Sequence, residues 1–170
     1  LIAVTRVELV SEERREAIAA FLKERFPSIP VLLLESSPRA WQELYGETFE
    51  PGFLEGKEVC AFCGIGNPNS FELTLGKLGI RLAGFKPFSD HHAYDFATVE
   101  GLGTWARERG VDTIVMTQKD AVKIPKDWLD EEGGPRWFYL STRQSISSGG
   151  EPLVELLDKL ARSEERRVGK

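Results

Sequence analysis

The chain is poor in the residues that staple or anchor a fold. Two cysteines in 170 residues cannot build a disulfide framework, which makes a reducing compartment the default expectation. No apolar run approaches the roughly 18 residues that a membrane span needs. There is no excess of positive charge: 22 Lys and Arg stand against 27 Asp and Glu, a formal charge of −5. Nucleic acid, which selects a basic face, is therefore not an expected partner. Only two histidines are present, so a metal centre built on several of them is out of reach. No G-x-x-x-x-G-K-[S/T] phosphate loop occurs. Gly56-Lys57 and Gly76-Lys77 lack both the hydroxyl residue after lysine and the leading glycine spacing.

What is there is a regular alternation. Ile2–Thr5 reads as a short strand. Ser11 is suited to cap a helix carrying Ile18, Phe21 and Leu22. Val31–Leu34 reads as a buried strand. Residues 36–57, with Pro38, Gly46, Pro51 and Gly52 and no clear period, read as a linker. Val59–Phe62 is the next strand, followed by Asn67 as a cap, Pro68 at the first helical position, and a stripe of Phe71, Leu75 and Leu78. Ile80–Phe85 is a strand. Asp95 can cap a helix with Val99, Leu102 and Trp105. Thr113–Met116 and Trp137–Leu140 are further strands, and Leu153, Leu156, Leu157 and Leu160 mark a last helix. Strands alternating with helices at this spacing predict an α/β fold, a mainly parallel sheet flanked by helices.

The ends carry their own expectation. Leu1-Ile2-Ala3-Val4 has the look of strand interior, so an internal segment of a longer chain is expected. Residues 162–170 have no apolar period and resemble the translation of a sequencing adapter. They are expected to be a non-native tail and are set aside from fold reasoning. That tail holds four basic and two acidic residues, so residues 1–161 carry a formal −7.

Three segments place polar groups just beyond strands, where open α/β sheets bind ligands. Asp90-His91-His92 holds both histidines. An imidazole trades protons near neutral pH and a neighbouring carboxylate can orient it, but the same residues can simply cap a helix. Gly64-Ile65-Gly66-Asn67 opens a helix and suits an anion on helix amides. It is not a dinucleotide fingerprint, because Asn69 stands at the third glycine position and no acid closes the next strand near Phe85. A tight turn explains it as well. Thr117-Gln118-Lys119-Asp120 and Thr5-Arg6-Val7-Glu8 sit in the same context, as ligand groups or as solvated turns. Cys60 and Cys63, three apart on a strand, point to opposite faces and cannot chelate one metal, so they read as buried small hydrophobes.

Taken in order, Ala61-Phe62-Cys63-Gly64-Ile65-Gly66-Asn67-Pro68 with Phe71, Phe88-Ser89-Asp90-His91-His92 with Tyr94, and Thr117-Gln118-Lys119-Asp120-Ala121-Val122-Lys123 resemble the C-terminal half of the tetraacyldisaccharide 4′-kinases, the lipid A kinases of Gram-negative bacteria. Thr5-Arg6 resembles the T-R-x-D segment near the end of that family's nucleotide-binding domain, with Glu8 in place of its aspartate. Gln118 stands where glutamate is common. The resemblance implies ATP-dependent phosphorylation of the 4′-hydroxyl of a tetraacyldisaccharide 1-phosphate at the cytoplasmic face of the inner membrane, with Mg²⁺. ATP and Mg²⁺ would be bound mainly by an N-terminal part that precedes this region, so the chain alone is expected to be inactive. It further implies the end of a P-loop kinase domain over residues 1–35 and a linker over 36–57. A Rossmann-like three-layer domain would cover 58–135, and a return strand and helix packing on the kinase domain would cover 136–161. His91, with Asp90, would carry the catalytic base, paired with an aspartate of the P-loop domain. His92, Arg6, Gly64, Gly66, Asn67, Thr117, Lys119 and Asp120 would lie near substrate or nucleotide, and no metal ligand is implied. Two other classes fit parts of the pattern: a DHH-type metal-dependent phosphoesterase using Asp90-His91-His92, and a noncatalytic nucleotide-binding module using Gly64–Pro68.

Overall fold

A computed structural model describes residues 1–130 and 133–168. The chain divides into two units, residues 1–37 with 143–170, and residues 38–142, and both divisions fall inside strands.

The first unit contains β1 (Ile2–Val4), α1 (Glu12–Arg25), the first half of β2 (Val31–Glu43), the end of β7 (Arg136–Ser148) and α5 (Glu151–Val168). β1 runs parallel to β2, with Ala3 opposite Leu32. Ser11 caps α1 as its hydroxyl accepts the Arg14 N–H at 3.3 Å. The expected stripe of α1 is only half realised: Ile18 and Leu22 are half-buried, while Phe21 is 63% exposed. In α5, Leu156 and Leu157 are exposed and Leu153 half-buried; Leu160, the fourth residue of that stripe, has a side chain outside the described residues.

The second unit holds the sheet that carries the motifs. Its strands are the second half of β2, β3 (Thr48–Phe49), β4 (Glu58–Cys63), β5 (Arg81–Pro87), β6 (Thr113–Thr117) and the first half of β7. They lie in the order β2-β7-β6-β4-β5, with β3 antiparallel on β2. β4 pairs in parallel with β5 and with β6, and β6 with β7. The mainly parallel α/β sheet expected from the alternation is present.

Strand alternation then sorts the core into two layers. Cys60, Phe62, Ile114 and Met116 face α3 (Phe96–Arg107), packing with Val99, Leu102 and Trp105. Val59, Ala61, Cys63 and Val115 face the other way, onto Phe71 and Leu75 of α2 (Pro68–Lys77). Each large apolar side chain so buried contributes about 1.5–3 kcal/mol. The two cysteines lie in different layers, as their spacing requires.

Residues 36–57, read as a linker with room for a short extended piece, include the end of β2, which continues through to Glu43. Its polar stretch Glu35-Ser36-Ser37-Pro38-Arg39 hides the strand from any hydrophobic pattern. Backbone pairing and local anchors supply what that pattern lacks. Ser141 Oγ donates to the Ala40 carbonyl, and the fully buried Trp41 donates its indole N–H to the Pro51 carbonyl at 3.0 Å.

Candidate functional site

The carboxyl ends of β4, β5 and β6 bring the three motifs together, and a single carboxylate joins them. Asp120, in the one-turn α4 (Gln118–Ala121), is fully buried. Its Oδ2 accepts the Gly64 N–H at 3.1 Å from the loop after β4, and the Thr117 hydroxyl at 2.6 Å. Its Oδ1 accepts the Tyr94 hydroxyl at 3.1 Å from the loop after β5, and Lys123 Nζ at 3.3 Å. Four donors fill the acceptor positions of a carboxylate. Asp120 is thus a holder of loops, with no lone pair left for a ligand.

The ion pair with Lys123 balances the buried charge locally. Burial, followed by the charge of Asp120 and the hydrogen bond to it, pushes the Tyr94 phenol well above its ordinary value, so it stays a donor. Burial likewise pushes the Cys63 thiol up to about 11, with Asp120 adding to the rise. Cys63 is an inert packing group.

Aromatic packing fixes the loop after β5. The Phe88 N–H donates to the Cys63 carbonyl at 2.7 Å, and its ring meets Phe62 edge-on at 6.1 Å. His92 stacks on Phe88 at 4.5 Å and meets Tyr94 edge-on at 4.8 Å. Its Nε2 is buried with no hydrogen-bond partner, which marks His92 as a packed ring.

His91 is the opposite case. Its side chain is 84% exposed, and its backbone is left-handed at φ 57°. A non-glycine residue adopts that conformation only where its surroundings enforce it. Asp90 is beside it: Oδ1 accepts the His91 N–H at 3.0 Å, and Oδ2 lies 3.9 Å from Nε2. Of the two histidines, His91 is the one open to a reacting group.

The other expected residues fall as follows. Asn67 spends its side chain capping α2, accepting the Ser70 N–H at 3.3 Å. Gly66 faces Asp90, where an added Cβ would lie 3.3 Å from Oδ2. Thr117 turns its hydroxyl inward to Asp120, and Lys119 is exposed on α4. Arg6 belongs to the first unit, also left-handed at φ 60°, next to a segment where Glu8 accepts the Ser36 N–H at 2.9 Å. Tyr94 and Lys123, which residue-by-residue reading did not single out, prove central. The faint signal was the spacing of Lys123 three residues after Asp120 in a turn. Among the described residues no group of three His, Cys, Asp or Glu is placed to hold a metal ion.

Gly64 leaves no room for a side chain. A Cβ there would stand 3.0 Å from the Tyr94 hydroxyl, 3.1 Å from Asp120 Oδ1 and 3.2 Å from His92 Cβ. Gly64→Ala is therefore expected to cost about 1–3 kcal/mol by overpacking, read by urea unfolding. A cost below about 0.5 kcal/mol would show the junction to be looser than this.

Comparison with known proteins bears on the same surface. The model of the family described as tetraacyldisaccharide-1-P 4′-kinase matches residues 2–162. Proteins named tetraacyldisaccharide 4′-kinase are similar in sequence. That of Desulfotalea psychrophila is 47% identical over 68 residues, covering 40% of this chain and 20% of that protein. That of Syntrophus aciditrophicus is 37% identical over 79 residues, covering 46% and 21%. That of Methylobacterium nodulans is 43% identical over 79 residues, covering 45% and 23%. The matched segments thus span about a fifth of those relatives. In fold, the chain is similar to LpxK from Aquifex aeolicus, solved in complex with ATP. The TM-score is 0.53 at 21% identity, over 92% of this chain and 50% of that one.

Proposed function

Because the chain belongs to the tetraacyldisaccharide-1-P 4′-kinase family, we propose that it is the C-terminal part of an ATP-dependent kinase. The kinase phosphorylates the 4′-hydroxyl of a tetraacyldisaccharide 1-phosphate in lipid A synthesis, at the cytoplasmic face of a bacterial inner membrane. The observation that carries this reading is the junction of three loops on Asp120, which presents an exposed His91 at the carboxyl ends of the strands.

In this role the His91 imidazole accepts the proton of the attacking hydroxyl, with the Asp90 carboxylate 3.9 Å from its Nε2. His92, half-buried and stacked on Phe88, shapes the wall behind it. Phosphoryl transfer demands positioning and charge neutralisation more than covalent chemistry. What this chain provides is placement. The sequence has no phosphate loop to cradle the phosphates of ATP. ATP and Mg²⁺ would be held mainly by an N-terminal part of the kinase, and the lipid substrate would meet His91 across from it.

The test is transfer of radiolabelled γ-phosphate from ATP to tetraacyldisaccharide 1-phosphate. The kinase containing this sequence is expected to give the 4′-phosphorylated product, and the 170-residue chain alone none. Turnover by the isolated chain would refute this division of labour. No product from the kinase would refute the substrate.

A further inference from the structure

We propose that Lys123 is a positioning residue for His91, an assignment that rests on reading His91 as the proton acceptor. The imidazole of His91 is 84% exposed, with its Nε2 3.9 Å from Asp90, so its own packing does little to hold it in place. Its left-handed backbone, at φ 57°, must be imposed from outside. On its N-terminal side the restraint is Asp90, whose Oδ1 accepts the His91 N–H at 3.0 Å. On its C-terminal side two bonds hold the two peptides that flank His92. The His92 N–H donates to the Ser89 carbonyl at 3.1 Å, and the His92 carbonyl accepts from Lys123 Nζ at 3.1 Å.

Lys123 is the one of these restraints that comes from another strand's loop. Its ammonium is itself fixed twice, by Asp120 Oδ1 at 3.3 Å and by the face of the Tyr94 ring, 5.5 Å from the centroid. Asp120 is anchored in turn to the loop after β4 through Gly64. A continuous path therefore runs from the sheet to the His92 carbonyl, one peptide beyond His91. A charged donor on that carbonyl holds the His92–Ala93 peptide, and so anchors the chain that leaves the turn carrying His91. Without it, that end of the turn is released and His91 loses its fixed place. A misplacement of about 1 Å in a reacting group costs on the order of a hundredfold in rate.

The test is a cycle of variants in the active kinase that contains this chain. Lys123→Met is expected to lower kcat by about 10- to 100-fold while KM for ATP holds within about twofold. In a His91→Ala background the same substitution should change kcat by less than about twofold, because there is no imidazole left to place. Lys123→Arg, which keeps a charged donor of similar reach, is expected to stay within about fivefold of the parent. The proposal is overturned if Lys123→Met keeps the parent kcat, if its loss is undiminished on His91→Ala, or if Lys123→Arg is as slow as Lys123→Met. It is overturned too if both single variants fail to fold, since the bond would then serve the domain as a whole. An unchanged kcat in His91→Ala alone would instead sink the proton-acceptor reading.

Discussion

His91→Ala in the active kinase is expected to lower kcat by about 10²–10⁴-fold, the usual contribution of a positioned general base, while KM for ATP holds within about twofold. The split follows from where the side chain stands. It is 84% exposed beside Asp90, so its loss removes little packing. The fold should hold within about 1 kcal/mol, because the exposed side chain contributes little packing, although alanine is less at ease than histidine at φ 57°. Loss of rate with stability retained is the signature of a chemical role. Added imidazole should restore part of the rate if the missing group is a base. A variant that turns over like the parent would remove His91 from the chemistry and leave its strained backbone unexplained.

Asp120→Ala is the substitution expected to cost most in stability. It leaves the Lys123 ammonium, the Gly64 amide and the Tyr94 and Thr117 hydroxyls without their common acceptor. Removing one member of a buried ion pair costs about 3–5 kcal/mol. That is a large part of the 5–15 kcal/mol by which a domain is stable. Asp120→Asn keeps the shape and one acceptor, and about 1–3 kcal/mol is expected. Urea unfolding of the 170-residue chain followed by tryptophan fluorescence measures both. A cost under about 1 kcal/mol for alanine would mean that the four bonds contribute little net free energy. The ordering matters too: alanine must cost more than asparagine, because only alanine removes every acceptor.

Local chemistry was legible in the sequence wherever one short segment contained the whole cause. Ser11, Asn67 and Asp95 each cap the helix they precede, since a cap needs only a side chain and an amide three residues on. The opposed faces of Cys60 and Cys63 followed from strand alternation. The mainly parallel sheet followed from the spacing of strands and helices. The continuation of β2 through Ser36 and Pro38 was not legible, because its cause lies in the strands beside it. Phe21 looked like core by period and is exposed. At the site, the motifs pointed to the three loops that meet on Asp120 but not to their wiring. Asp120 reads as a solvated turn residue, and its burial depends on donors 56 and 26 positions away. The difference between His91 and His92 is equally tertiary: one is packed by Phe88 and Tyr94, and the other stands in a strained open loop.

Those separations also set a clock. Bonds that close loops of 56 and 26 residues must wait until the intervening crossovers have formed, whereas caps and turns close within a microsecond or so. The Asp120 junction is therefore expected to form after the caps and turns of the second unit during refolding. Its substitutions should chiefly speed unfolding and leave the refolding limb of a chevron almost unmoved. A chain that has its helices but not yet this junction would be compact and would not yet hold His91 in place. The hold on His91 would then be a tertiary step that follows the local structure rather than part of it.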